Sequence, residues 1–304
     1  MAEKPSLKQH LSGLKDRQLA ELIYSISTLS QDVRKEFPHR LITENAQMNK
    51  YGEIAKELDT WTNEFFCNAM LRTKLVRAVY SEELEEPRLG DKNGPFVVTI
   101  DPLDGSSNIA TNNPFGTIIG IWKKDLPAKG SEQVASLYKL YGPITTLVYT
   151  TKETGKVAEF VKHRKGEIEY FLLYDNMKLP EPGSVYGIGG SPIEFDDKYN
   201  DFFRRLVFEH KLKNRYCGAF VGDFSQVLHY GGYFAYPGTP KKPQGKLRLF
   251  YEGNPMSLII ENAGGASSNG FKSVLDVTGD DIDARTPVHI GNRHIIKELE
   301  EMLR

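Results

Sequence analysis

Cysteine is nearly absent: only Cys67 and Cys217 occur among 304 residues. A secreted chain of this length would more often carry a disulfide framework, so a reducing compartment, the cytoplasm, is the expectation. The start, Met1-Ala2-Glu3-Lys4-Pro5-Ser6, lacks the apolar run of a signal peptide and the Arg-rich, acid-poor character of a transit peptide. Apolar runs of membrane-spanning length are missing too, so no membrane partner is expected. Neither sign of charge is in excess, since 39 Lys and Arg face 40 Asp and Glu. That balance gives no long-range attraction to nucleic acid, and a bound anion must be held by local placement of charge. Internal repeats and low-complexity segments are lacking as well. What remains is an ordinary globular composition, 39% apolar with 16 Phe and 15 Tyr, long enough for one large domain or two intimately packed ones.

Periodicity places the elements. Between Asp16 and Phe37, apolar residues fall at Leu19, Leu22, Ile23, Ile26, Leu29 and Val33, the spacing of an amphipathic helix that Pro38 ends. A second helix carries Ile54, Leu58, Trp61 and Phe65 on one face, with Asp59 and Asn63 beside the stripe. Strands are expected at Val76 to Tyr80, Phe96 to Ile100 and Gly116 to Trp122. Thr145 to Thr151 and Val157 to Lys162 read as a hairpin about Glu153-Thr154-Gly155. Helices are expected from Asp197 to His210, near Pro255 to Asn262, and at the C-terminus behind an Asn292 cap. Strands at Tyr233 to Tyr236 and, alternating, Lys246 to Tyr251 complete the pattern. The mixture implies a layered α/β (α+β) architecture. The Pro/Gly-rich stretch from Leu179 to Gly190 divides it into halves of residues 1–178 and 179–304.

The segment Thr99-Ile100-Asp101-Pro102-Leu103-Asp104-Gly105-Ser106-Ser107-Asn108 is the most informative. Two carboxylates bracket a Pro-Leu turn at the end of an apolar strand. Gly105 permits close approach of a ligand, and Ser106 and Ser107 offer hydroxyls and amides. Hard oxygen donors beside free N–H groups suit a metal–phosphate pair; a self-capping Asp-Pro/Asp-Gly loop is the plain alternative. Other acids weigh against that alternative. Glu82 and Glu83 follow the strand Val76 to Tyr80, Glu252 follows the Lys246 to Tyr251 run, and Asp59 lies on the preceding helix. With no His or Cys at ligand spacing, this set points to magnesium or manganese over zinc.

These residues resemble a known family. Asp101 to Ser107 resembles the D-P-[LI]-D-G-[ST] signature of metal-dependent sugar and inositol phosphatases. Gly245 to Met256 resembles the fructose-1,6-bisphosphatase motif G-K-L-R-L-[LF]-Y-E-x-[NA]-P-[ML], and the likeness extends over nearly the whole chain. It implies the α-β-α-β-α layered fold of the sugar phosphatases. It also implies removal of the 1-phosphate from a ketose bisphosphate, with two or more Mg2+ (or Mn2+) ions. By that likeness Glu82, Asp101, Asp104, Glu252 and the carbonyl of Leu103 are metal ligands, and Glu53 stands where relatives carry an Asp. Asp59 and Glu83, with Glu82 among the catalytic acids, orient or deprotonate the attacking water. Asp104, Gly105, Ser106, Ser107 and Arg248 cradle the transferring group. Arg215, Tyr216, Tyr236 and Lys246 hold the distal phosphate, and an Arg215 reaching across an interface implies a homodimer or homotetramer. Without metal, so many carboxylates repel and some hold their protons.

Two branches of the family compete. Glu132 to Ala135, Tyr141 to Thr146, and Ile260 to Gly265 with Lys272 to Asp276 lean toward sedoheptulose-1,7-bisphosphatase. Tyr186 to Pro192 lacks the Asn and Tyr of the six-carbon enzymes, and Gly189-Gly190 there implies a roomier distal pocket. The seven-carbon bisphosphate is therefore the expected substrate. Gly232 to Pro237 and Tyr251 to Met256 read as the fructose branch, so a fructose-1,6-bisphosphatase or a dual-specificity enzyme is the alternative. A catalytically silent regulator would have lost a metal carboxylate, and none of the principal ones is missing. The likeness also bears on AMP, which in such enzymes is held near the N-terminus. The matching turn, Ser12 to Asp16, has lost a glycine and a hydroxyl, while Pro95-Phe96 and Lys123 replace a Lys-Tyr pair and an Arg. Insensitivity to AMP is expected.

Overall fold

The computed structural model describes residues 4–29, 33, 36, 51–165 and 167–304, with backbone alone at 51–56, 164–165 and 167–168. Among these residues, helices and sheets alternate in five layers. The first layer contains α1 (Leu7–Leu11), α2 (Arg17–Thr28) and α3 (Tyr51–Arg72). The Asp16 carboxylate caps α2 by accepting from the N–H of Leu19 at 3.0 Å. Val33 and Glu36 are helical, and the rest of the helix expected as far as Phe37 lies outside the described residues. On α3 the buried face is Leu58, Thr62, Phe66, Cys67 and Met70. Trp61 and Phe65 stack on each other at its margin, so the apolar stripe is turned from the expected one.

The first sheet has eight strands: β1 (Val76–Ser81), β2 (Arg88–Leu89), β3 (Phe96–Asp104), β4 (Phe115–Trp122), β5 (Gln133–Tyr141), β6 (Thr145–Thr151), β7 (Val157–Lys165) and β8 (Glu167–Tyr174). Their spatial order is β2-β1-β3-β4-β5-β6-β7-β8. Only β1 and β3 run parallel; the other neighbours are antiparallel. Side chains alternate between the faces as a period of two requires. Leu147 and Tyr149 of β6 pack under the first helical layer, and Val148 faces the opposite core.

The chain then builds a smaller sheet from β9 (Val185–Ile188), β10 (Lys213–Asn214), β11 (Gly232–Tyr236), β12 (Ala266–Ser268) and β13 (Val288–Gly291), in the order β10-β9-β11-β13-β12. Of the remaining helices, α4 (Asp197–Phe208) and α7 (Arg293–Leu303) cover its outer face through Phe202, Leu206, Ile295 and Leu299. Between the two sheets lie α5 (Phe220–Tyr230) and α6 (Asn254–Asn262), whose Phe224, Val227, Met256 and Ile259 form the central core. Asn292 stands at the N-cap of α7 but does not cap it. Its amide accepts instead from the N–H of Gly232 at 2.6 Å and donates to the carbonyl of Pro180 at 3.0 Å. No helix among the described residues is long and apolar enough to cross a membrane.

Candidate active site

The apolar run of β3 does not turn at Asp101, as its Pro-Leu pair suggests; the strand continues to Asp104 through a bulge. Asp101 stands opposite Ile118 and Asp104 opposite Gly116, three steps on β3 against two on β4. In a regular strand, residues three apart face opposite sides of the sheet. One extra residue returns Asp104 to the side of Asp101. The N–H of Leu103 donates to Oδ1 of Asp101 at 2.9 Å and braces the bulge. Asp104 Oδ2 accepts from the N–H of Val221 at 2.8 Å, in the first turn of α5. That helix has no side-chain cap of its own, so a carboxylate from the end of β3 caps it and gains from its dipole. Gly105 follows with φ 80°, and a Cβ there would stand 2.4 Å from the Cβ of Ala219. Only glycine lets the end of β3 close on the start of α5 at this point.

The second irregularity brings in Glu252. Lys246 to Tyr251 does not form the expected alternating strand; Arg248 makes one isolated bridge to Arg285. The chain then turns through a π-helical stretch, Leu249–Gly253, that runs into α6. The Arg248 carbonyl accepts from the N–H groups of both Glu252, at 3.2 Å, and Gly253, at 3.0 Å. Those amides turn back on the preceding chain and are not available to a ladder. Single π-turns of this kind occur mostly at functional sites. Here the turn aims the Glu252 carboxylate back at its own entry, where Oε2 accepts from the N–H of Arg248 at 2.7 Å.

The resulting cleft, of about 250 Å3, is lined by Asp59, Glu82, Glu83, Asp101, Leu103, Asp104, Gly105, Ser106, Ser107, Tyr236, Lys246 and Glu252. Gly218, Leu247 and Arg285 line it too, and the sequence reading missed them. Carboxylate oxygens of Glu82, Asp101 and Glu252 all lie within 4.8 Å of one another. Burial, reinforced by these like charges, pushes Asp101 and Glu252 well above the ordinary carboxylate range. Burial also lifts Asp104 to about 7, against the opposing pull of the Val221 and Phe220 N–H groups. Asp59 rises to about 7, first by burial and then by the charges of Glu83 and Glu82. Glu83 is raised by burial and by Glu82, with Arg248 opposing. A buried set of hard oxygen donors that must hold protons when alone fits divalent cations of the Mg2+ type.

Other expected site residues are placed differently. The side chain of Glu53 lies outside the described residues. Arg248 does not line the cleft; its Nε donates to Glu82 Oε1 at 3.1 Å and its Nη1 pairs with Asp283. The guanidinium of Arg285, bonded to the Lys246 carbonyl, is the one on the cleft wall. Lys246 Nζ lies over the Tyr236 ring, 5.0 Å from its centroid, and the Tyr236 hydroxyl is 3.1 Å from that of Tyr216. Tyr216 and Arg215 stand outside the lining, with the Arg215 guanidinium stacked on Tyr230. Gly189 does not enlarge the distal end. A Cβ there would sit 2.0 Å from the Tyr236 ring, which fills that space.

Carboxylates converging from the first sheet, from α3 and from the π-turn before α6, beside the amides of Gly105, Ser106 and Ser107, define a phosphoric monoester hydrolase, a sugar bisphosphatase. Residues 2–173 match the N-terminal domain of fructose-1,6-bisphosphatase and residues 179–304 match its C-terminal domain. The chain belongs to the fructose-1,6-bisphosphatase family. A class 1 fructose-1,6-bisphosphatase from Natronomonas pharaonis is 40% identical over 93% of this chain and 98% of its own length. One from Methanocorpusculum labreanum is 37% identical over 97% of this chain and 90% of its own. Among solved structures, Leishmania major fructose-1,6-bisphosphatase in its holo form superposes with a TM-score of 0.88 at 27% identity, covering 98% of this chain and 99% of that one. The relatives' names thus favour the six-carbon alternative over the seven-carbon substrate expected from the sequence.

Proposed function

We propose that the protein hydrolyses the 1-phosphate of fructose 1,6-bisphosphate, releasing fructose 6-phosphate and inorganic phosphate, with Mg2+ as its metal. The observation that carries this reading is the buried carboxylate cluster of Glu82, Asp101 and Glu252, in a chain whose relatives bear that enzyme's name. Glu82, Asp101, Asp104, Glu252 and the Leu103 carbonyl would hold the metal. When bound, it supplies charge neutralisation and Lewis acidity to a reaction that is extremely slow unaided. Asp59 and Glu83, at the same wall, are placed to take the proton of the attacking water. The amides of Gly105, Ser106 and Ser107 receive the phosphoryl oxygens. Arg248 acts through Glu82, whose carboxylate it orients.

At the far end, Lys246 and Tyr236, the latter backed by Tyr216, hold the second phosphate. The exposed Arg215 is available to a second copy of the chain, in a homodimer or homotetramer. Residues 1–178 carry most of the metal ligands and residues 179–304 carry the sugar and distal-phosphate contacts, with Glu252 and α5 joining the two halves. Phosphate release from fructose 1,6-bisphosphate, sedoheptulose 1,7-bisphosphate and inositol monophosphate, measured side by side with Mg2+ and with Mn2+, tests the reading. The six-carbon bisphosphate should show the highest kcat/KM. A clear preference for the seven-carbon substrate overturns the choice of sugar, and turnover of inositol phosphate alone overturns the bisphosphatase reading.

A further inference from the structure

Behind the cleft wall lies a buried carboxylate that the hydrolytic chemistry does not use. Asp223, in the first turn of α5, is 1% exposed and does not line the cleft. Its Oδ1 accepts from the N–H of Cys217 at 2.7 Å and its Oδ2 from the N–H of Gly218 at 3.1 Å. Asn108 grips the same corner from the opposite side, its Nδ2 donating to the Cys217 carbonyl at 2.9 Å and to the Pro114 carbonyl at 2.8 Å. Gly218 lies between them with φ 87°, and a Cβ there would come within 3.2 Å of Asn108 Oδ1. The corner therefore has its donors held by one side chain and an acceptor held by another. Three consecutive backbone groups that would otherwise be orphaned near the sheet junction are satisfied.

What this corner carries gives the grip its consequence. Immediately before it, the N–H of Arg215 donates to the Tyr186 carbonyl at 2.7 Å, anchoring the chain beside β9. Tyr216 lies between that anchor and the corner, its ring stacked on Phe234 and its hydroxyl 3.1 Å from that of Tyr236. Tyr236 in turn lies under Lys246 on the cleft wall. Immediately after the corner, Ala219 packs on Gly105 and the Val221 N–H binds Asp104. Asp104 is thus fixed from α5 directly, whereas the backbone of Tyr216 is held between the Arg215 anchor and the corner.

We propose that Asp223 and Asn108 are positioning residues forming one clamp on the Cys217–Gly218 corner, and that this clamp sets how tightly the distal, sugar-bearing end of the substrate is held while leaving the hydrolytic step alone. This rests on the assignment of Tyr216, Tyr236 and Lys246 to the distal phosphate. Asp223→Asn keeps the shape but offers a single acceptor to two N–H groups and turns an NH2 against one of them. Asn108→Ala removes the grip on the carbonyl side.

The test uses the full chain with Mg2+. Steady-state kinetics on fructose 1,6-bisphosphate are paired with calorimetric binding of fructose 6-phosphate and of inorganic phosphate. For either variant KM and the Kd for fructose 6-phosphate should rise about tenfold, with kcat within about threefold of wild type and the Kd for inorganic phosphate unchanged. The double variant should lose little more than either single one, because the two side chains hold one corner. A fall in kcat at constant KM, as a merely structural role would give, overturns the proposal. Equal weakening of inorganic phosphate and sugar phosphate does so too. If Asp223→Asn does not fold, Asn108→Ala carries the same expectation. A wild type that ignores fructose 1,6-bisphosphate but turns over the seven-carbon bisphosphate overturns the substrate assignment alone; the clamp is then read by the same split with sedoheptulose 7-phosphate.

Discussion

The two ends of the cleft stand on opposite electrostatic terms. At the metal end Asp101, Asp104 and Glu252 are buried, and the guanidinium of Arg248, shared with Asp283, bonds to Glu82. At the distal end the Lys246 ammonium rests on the Tyr236 ring, and the Tyr236 hydroxyl meets that of Tyr216. The first end gathers negative charge that a cation would neutralise, and the second offers a positive charge over an aromatic ring. Buried like charges destabilise the protein that carries them, which makes the metal end the place where stability is conceded to function.

Removing one acid breaks this contrast most sharply. Glu252→Gln and Asp104→Asn should each lower kcat/KM by about 100-fold or more at ordinary Mg2+. Glu252→Gln should leave the metal-free fold intact or raise its melting temperature, because a carboxylate disfavoured by burial and like charge is gone, whereas Asp104→Asn also weakens the cap on α5. Near-normal turnover of either variant would remove that residue from the ligand set. Next in size is the distal end, where Lys246→Ala should raise KM about tenfold or more with a smaller change in kcat. A loss of kcat as large as that of the acid variants would erase the difference between the two ends.

The contrast also has a pH signature. Asp59 and Asp104 titrate near 7 in the folded protein, above their value in the unfolded chain, because burial disfavours their charged forms. The folded state therefore binds their protons more tightly than the unfolded state does. Stability of the chelated protein should be greatest in mild acid and fall as pH rises through about 7. Melting curves at about pH 6 and pH 8 should differ with EDTA and converge at saturating Mg2+, which stabilises only the folded state. A chelated protein equally stable at both would show that its carboxylates are already neutralised by the chain. Smaller again is Tyr216→Phe, which deletes one hydrogen bond and should raise KM about fivefold or less.

The smallest expected effect is none: AMP should not inhibit. The turn before α2 is closed from within, since the Glu153 carboxylate accepts from the N–H groups of Lys15 at 2.8 Å and Asp16 at 3.3 Å. Lys123 is engaged as well, its Nζ 2.8 Å from Asp16 Oδ2. An incoming phosphate would have to displace one carboxylate from two amides and another from a lysine. Inhibition by micromolar AMP in the phosphate-release assay would show that this corner opens.

The acids were legible in the sequence because the chain places them next to one another. Asp101 and Asp104 lie in one short run, Glu82 and Glu83 are adjacent, and a carboxylate at the end of an apolar strand is a recognisable signal. How they converge was not legible. Alternation in Lys246 to Tyr251 reads as a strand, yet the same alternation is compatible with a π-turn once the following amides fold back on Arg248. Arg285 and Gly218 belong to segments far from either motif and reach the cleft only through the packing of the second half. Strand β5 escapes the pattern partly because Lys139 interrupts its apolar run. That lysine is fully buried, and it is tolerated because its Nζ donates to the Ile26 carbonyl at the end of α2, at 2.6 Å, above the ring of Phe66. A local pattern cannot foresee a partner supplied from 113 residues away.

The bulge in β3 and the π-turn before α6 share a property: each is a single surplus residue in an otherwise regular element. The convergence of Asp101, Asp104 and Glu252 is therefore a matter of counting before it is a matter of chemistry. Inserting one residue into β4 opposite the bulge, at Thr117, matches three steps with three, restores ordinary alternation and sends one aspartate to the far face of the sheet. Deleting one residue inside the π-turn, such as Phe250, rewinds it and swings Glu252 by about 100° around the helix axis. The cleft wall can absorb changes of side chain far more readily than changes of length, so its arithmetic is as strict as a reading frame.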